Sequence, residues 1–162
     1  MSELRDSLDP DRLAPDAANP AVRSVMRDEV VFCLPSTPID AIAKLMADND
    51  LTELPVLIDR RPVGYVLARD IVERLVEGDV QVAGSDLVRQ SPTDVTASDI
   101  LHTPPLLADE KDRLLDVLAS MRRQERQSAL VMHDDERPVG MITAREVAAH
   151  LAGRLQGVAG SA

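Results

Sequence analysis

A block of eleven residues occurs twice in this chain, and that repetition limits the fold more than any other feature. Arg61-Pro62-Val63-Gly64-Tyr65-Val66-Leu67-Ala68-Arg69-Asp70-Ile71 returns 76 positions later as Arg137-Pro138-Val139-Gly140-Met141-Ile142-Thr143-Ala144-Arg145-Glu146-Val147. Upstream of the blocks the offset is 75: Met46 answers to Met121, Val56 to Val131 and Asp59 to Asp134. One extra residue in the Asp134-Asp135-Glu136 turn accounts for the change. Two copies of a unit of about 55 residues therefore fill most of the chain. A unit of that size seldom makes a robust core alone, so the two copies should pack on each other.

Each copy reads strand, helix, strand, strand, helix. In the first, Val30 to Leu34 is a short β-rich run. Thr37 stands as N-cap with Pro38 at the first helical position, and Ile39, Ile42, Leu45 and Met46 recur at helical spacing. Leu54 to Ile58 and Val63 to Leu67 read as a hairpin joined by Asp59-Arg60-Arg61-Pro62. A helix follows with Ile71, Val72 and Leu75 facing inward. In the second copy Leu106 and Leu107 begin the order, and Asp112 caps a helix bearing Leu114, Leu115, Val117, Leu118 and Met121. Ala129 to Met132 and Val139 to Thr143 are strands, and Val147, Leu151 and Leu155 line the last helix. The expected boundaries are a tail over 1–20, a first repeat over 21–77, an acidic linker with one short turn of helix over 78–94, a second repeat over 95–155, and a tail over 156–162.

Composition narrows the function. Phe32, Tyr65 and no tryptophan leave no platform for stacking bases, and a net charge of -10 opposes binding to a nucleic-acid backbone. Residues 1–20 carry -3 of that charge and residues 77–112 carry -6, so the rest of the chain is nearly neutral and open to a small anion. Sixteen of the 18 basic residues are arginine, the side chain suited to forked phosphate contacts. Cys33 is the only cysteine, which excludes an intrachain disulfide and a thiolate cluster. His102, His133 and His150 lie far apart with no carboxylate at metal-ligand spacing. No apolar run reaches membrane-spanning length and no signal-peptide core follows Met1, so a cytoplasmic protein is expected.

The tandem βαββα unit, with Leu54-Pro55-Val56 leading to Gly64-Tyr65-Val66-Leu67-Ala68-Arg69-Asp70 and a second copy at Gly140-Met141-Ile142-Thr143-Ala144-Arg145-Glu146, resembles the CBS domain. Two in tandem resemble a Bateman module, and the likeness covers about residues 21–155. It implies an α/β fold of two CBS repeats packed as a pseudo-two-fold pair. It also implies a non-catalytic regulatory role, in which an adenosine-containing ligand (AMP, ADP, ATP or S-adenosylmethionine) binds between the repeats and alters contact with a partner. In the family pattern Asp holds the ribose hydroxyls and Thr helps hold ribose or phosphate. Here the first copy has Asp70 but Leu67 in place of Thr, and the second has Thr143 but Glu146 in place of Asp. Pro104 to Glu110 and Ala129 to Met132 also resemble CBS pairs attached to CorC-type magnesium-transport proteins.

The ligand-binding candidates are Asp70, Arg69, Thr143, Arg145 and Glu146. Asp70 reads either as the ribose acceptor or as an acid favourable to a helix dipole. Thr143 and Glu146 also form a capping box without any ligand. Arg69 and Arg145 stand in a helix's first turn beside free amides, where an arginine opposes the dipole but suits an anion. No resident cofactor is read from these residues beyond the adenine nucleotide that the resemblance implies. The alternative function is a structural or dimerisation module with ligand-free clefts. A homodimer is expected, joined through helices 38–49 and 113–124 or through helices 69–77 and 145–156.

Overall fold

The computed structural model describes residues 19–76 and 94–159, with side chains described through residue 155. The expected N-terminal tail and the linker, with its turn of helix, fall almost wholly outside these residues, whereas residues 156–159 of the expected C-terminal tail continue the last helix.

In the first repeat, α1 (Ile39–Asn49) buries Ile39, Ile42 and Met46 and ends at Asp50, whose φ of 55° breaks the helix. It starts one residue later than expected: Pro38 is the N-cap, and Thr37 instead accepts the Leu34 N–H on its Oγ1 at 2.9 Å. β1 (Glu53–Ile58) and β2 (Arg61–Leu67) pair antiparallel from Glu53↔Leu67 to Ile58↔Arg61, with a bulge at Val56/Leu57. The hairpin connection is two residues rather than four. Asp59 and Arg60 both take positive φ, the geometry that suits the right-handed twist of the strands. α2 (Ala68–Val76) buries none of its residues fully. Ile71 packs on the core as expected, but Val72 and Leu75 face outward, 57% and 39% exposed.

The second repeat follows the same order. β3 (Leu107–Asp109) runs parallel to β4 (Ser128–His133), which pairs antiparallel with β5 (Arg137–Thr143) and bulges at Val131/Met132. Between them, α3 (Leu114–Arg123) buries Leu114, Val117 and Met121. Its N-cap is Arg113, not Asp112, whose carboxylate accepts the Asp109 N–H at 2.9 Å. α4 (Ala144–Ala159) closes the described chain, with Val147 on the core and Leu151 and Leu155 each 46% exposed. The first repeat's counterpart of β3 shrinks to one parallel bridge, Cys33↔Val56, because the turn at Leu34 to Thr37 ends the run.

The lead-in segments trade places between the repeats. Residues at the start of the first repeat hydrogen-bond to the second: Val22 N–H to Asp112 O at 2.8 Å, and Arg27 with Met141 in both directions. Val22 and Val25 fill a core with Leu114, Val117, Met121 and Ile142. Residues at the start of the second repeat do the reverse. Ile39 N–H meets Val95 O, His102 pairs with Tyr65, and Val95, Ala97 and Ile100 join the core of Ile39, Ile42 and Leu54. Each fully buried aliphatic side chain contributes about 1.5–3 kcal/mol, so both cores depend on residues from the other repeat. The repeated glycines make room for these crossings. A Cβ at Gly64 would lie 2.4 Å from His102 O, and one at Gly140 would lie 2.5 Å from Arg27 O. The result is the α/β pair of CBS-like repeats anticipated above.

Candidate functional site

The ends of β1, β2, β4 and β5 meet between the repeats, and the buried polar residues gather there. Glu53, Ser128 and Thr143 are the polar residues buried below a tenth of their surface among those described. Glu53 and Ser128 occupy matching positions, each opening the first strand of its hairpin. The Glu53 carboxylate lies at the junction and gathers donors from the second repeat: Arg126 Nε at 3.1 Å, Gln127 N–H at 3.0 Å, Ser128 N–H at 3.1 Å and Ser128 Oγ at 2.9 Å. A buried carboxylate is costly unless its lone pairs are met, and here they are.

Two clefts flank this junction. Cleft A, about 190 Å³, is walled by Asp50 to Glu53 of the first repeat and by Gln127, Ser128 and Thr143 to Arg145 of the second. Cleft B, about 370 Å³, is its counterpart, walled by Thr52, Glu53, Tyr65, Leu67, Ala68 and Arg69 and by Gln124 to Gln127. Arg145 and Arg69, each in the first turn of its helix, thus reach matching clefts. Arg145 stands 3.9 Å from Asp50 with both side chains largely exposed, a pairing of about 0–1 kcal/mol. Arg69 is exposed and makes no ion pair among the described residues.

The other candidates are engaged by the chain itself. Asp70 is one residue from Arg69 yet turns away from cleft B: its Oδ2 lies 2.6 Å from His102 Nε2, and it lines a separate depression with Glu73, Asp99 and His102. Thr143 and Glu146 form a helix cap. Glu146 accepts the Thr143 N–H at 2.8 Å and bonds its hydroxyl, while Thr143 Oγ1 accepts the Arg145 N–H at 3.2 Å. Arg27, from the exchanged lead, donates to Glu146 at 2.8 Å. Burial opposes ionisation of Glu146, but the bonds from Thr143 and Arg27 outweigh it and hold the carboxyl below its usual range. Burial pushes the Cys33 thiol up to about 12, so it is inert as a nucleophile. Among the described residues no three His, Cys, Asp or Glu side chains are grouped to hold a metal, and no helix is long and apolar enough to cross a membrane.

Sequence reasoning missed the centre of the site. Arg126 is 7% exposed, with its guanidinium carbon 3.3 Å from the centroid of the Tyr65 ring. His102 stacks on the same ring at 5.3 Å. A signal was present: at the offset of 75, Arg126 stands opposite Leu51 and Glu53 opposite Ser128.

Comparison with known proteins agrees with this architecture. An uncharacterized 33.4 kDa protein in the ribosomal RNA operon of Thermofilum pendens is 26% identical over 137 residues, 85% of this chain but only 45% of that protein. The chain thus spans less than half the length of this curated relative. The CBS domain pair of protein MJ0100, solved with 5'-methylthioadenosine and S-adenosyl-L-methionine, superposes with a TM-score of 0.67 at 18% identity, covering 84% of this chain and 98% of that one. The CBS domain of a bacterial CNNM/CorC family Mg2+ transporter, solved with ATP, gives 0.62 at 21% identity, covering 82% and 87%. The sequence profile of the CBS domain matches residues 22–77 and again 97–153, so the chain belongs to the CBS domain family and carries two such domains in tandem.

Proposed function

We propose that this CBS pair is a non-catalytic regulatory module that binds an adenosine-containing ligand, of the AMP, ADP, ATP or S-adenosylmethionine class, in cleft B and passes its occupancy to a partner protein. The observation that carries this is the asymmetry of the two clefts. Cleft B is about twice the volume of cleft A, within the range of small-molecule sites, and its Arg69 makes no ion pair among the described residues, whereas Arg145 of cleft A stands 3.9 Å from Asp50. Arg69 beside the first amides of α2 suits a phosphate. The ligands of the two solved relatives belong to the same chemical class. Thr143 and Arg145 make cleft A a lesser second site. A ribose role for Asp70 requires its bond to His102 to open, and one for Glu146 requires release of Arg27. The module would act in the cytoplasm as a homodimer.

Calorimetric titration with AMP, ATP and S-adenosylmethionine, with and without magnesium, tests this reading. Arg69→Ala should weaken nucleotide binding about tenfold or more, since a charged hydrogen bond contributes about 1.5–3 kcal/mol. Absence of binding by all three ligands at millimolar concentration would refute it. One observation favours a second reading, a structural interaction module with closed clefts: Asp70, Glu146 and the open face of Tyr65 are all taken by the chain's own side chains. Asp70→Asn separates the two, since it should lower affinity only if the ribose is held there.

A further inference from the structure

Arg126 pairs with the buried Glu53, yet its place in the repeat does not itself demand a cation. Its counterpart Leu51 is 6% exposed, so the position accepts a buried aliphatic side chain in the other copy. Here a cation is buried instead, its guanidinium carbon over the ring of the one tyrosine of the chain. His102 covers that ring too, and Tyr65 and Arg126 both border cleft B.

Arg126 also borders a second space. Behind it lies a cavity of about 10 Å³, at the limit for one water, bordered by Tyr65, Arg126, Pro55, Leu106, Leu130 and Met141. Its walls are mainly apolar, and Tyr65 and Arg126 are shared with cleft B. Withdrawal of the Arg126 side chain would join the two spaces into one pocket with an apolar floor, a tyrosine wall and a polar mouth at Arg69. Such a pocket matches a planar heterocycle carrying a phosphate.

The withdrawal does not strand the buried carboxylate. Without Arg126, Glu53 retains the Gln127 N–H, the Ser128 N–H and the Ser128 hydroxyl. The residue is also well placed to report its own displacement, because it lies between the end of α3 and the start of β4, with its N–H on Met121 O at 2.8 Å.

We infer that Arg126 is a built-in occupant of cleft B: its guanidinium holds, on the face of Tyr65, the place that a purine ring takes on binding. Exchange at that face breaks the Arg126–Glu53 bond and moves the segment between α3 and β4, so occupancy is transmitted across the repeat junction. This rests on the adenosine-ligand reading of cleft B.

The test is titration of AMP into the wild-type chain, Arg126→Met and Arg126→Gln. Tyr65 emission serves as the readout, since the chain has one tyrosine and no tryptophan. Circular-dichroism melting shows which variants are folded, and the glutamine variant serves if the methionine variant does not fold. Both folded variants should bind AMP at least tenfold more tightly than wild type, with altered Tyr65 emission in every complex. AMP binding by wild type with equal or weaker affinity in the variants overturns the occupant role and leaves the cleft reading standing. No binding of AMP, ATP or S-adenosylmethionine by any of the three proteins overturns both.

Discussion

Replacing Glu53 by glutamine should cost the fold about 3 kcal/mol, although the side chain keeps its shape. The carboxylate and Arg126 are 2% and 7% exposed, so solvent screening does little for either. Glu53 Oε1 accepts from Arg126 Nε and Gln127 N–H, and Oε2 accepts from Ser128 N–H, Ser128 Oγ and, at 3.3 Å, Arg126 Nε as well. A carboxamide has one acceptor and one donor end. Whichever way it turns, its NH2 faces a backbone N–H, of Gln127 or of Ser128, and one buried donor goes unmet at about 1–3 kcal/mol. Arg126 meanwhile loses its counter-charge. Removing one partner of a buried pair typically costs about 3–5 kcal/mol, and the surviving bonds from Arg126 and one amide place this change at the lower end. Urea unfolding followed by circular dichroism should show a midpoint lowered by about 1–3 M, for slopes of about 1–3 kcal/mol/M. Ser128→Ala removes one donor of several and should cost clearly less. Combining Glu53→Gln with Arg126→Met should cost less than the two single changes added, since no unpaired charge remains. A Glu53→Gln protein within about 0.5 kcal/mol of wild type, at unchanged slope, would refute this account of the junction.

Three further outcomes follow from the packing and charges. Gly64→Ala and Gly140→Ala should each lose about 1–3 kcal/mol by thermal melting, because the added Cβ meets a backbone carbonyl of the exchanged lead. Gly153→Ala, in α4 with nothing within 4 Å, should gain up to about 1 kcal/mol; equal melting of all three would refute the crossing argument. Glu146 has its carboxyl depressed in the folded state, so its stabilisation is present above the unfolded value and lost as pH falls through the folded one. Glu146→Gln should therefore flatten the acid limb of a stability–pH profile below about 4.5, and an unchanged limb would refute the role of Arg27 and Thr143. Val72 and Val76 of α2 and Leu151 and Leu155 of α4 are 46–81% exposed, which favours these helices over α1 and α3 as the dimer face. Light scattering should give about twice 17.6 kDa for wild type and a monomer for Val72→Glu with Leu151→Glu; a monomeric wild type at micromolar concentration would refute the dimer.

The repeat made the architecture legible, because hydrophobic period and turn chemistry act within a few residues of one another. Ile39, Ile42 and Met46 share one face of α1, and the hairpins sit at the expected places. Small errors came where a local rule had a rival: Thr37 served a preceding turn instead of the helix, and positive φ at Asp59 and Arg60 tightened a loop read as four residues. What stayed hidden depends on distant partners. Nothing near Asp70 in the chain announces His102, and nothing near Glu146 announces Arg27, which lies 119 positions earlier. The outward turn of Val72 and Leu75 is of the same kind, since it depends on what α2 packs against and not on the spacing of its own residues.

The junction was visible in principle, through the differences between the copies more than their likeness. A repeat packed against its own copy buries equivalent positions in similar surroundings, so a buried apolar residue in one copy predicts an apolar residue in the other. Leu51 against Arg126 and Ser128 against Glu53 break that symmetry at two positions, with opposite charges, two residues apart in the aligned copies. A lone buried charge is costly at either position, and two of opposite sign on opposite copies relieve that cost only if the copies face one another there. Paired departures from internal symmetry thus locate the contact between the repeats. They also mark where the two clefts become unlike, because Arg126 enters cleft B and Leu51, its counterpart, lines cleft A.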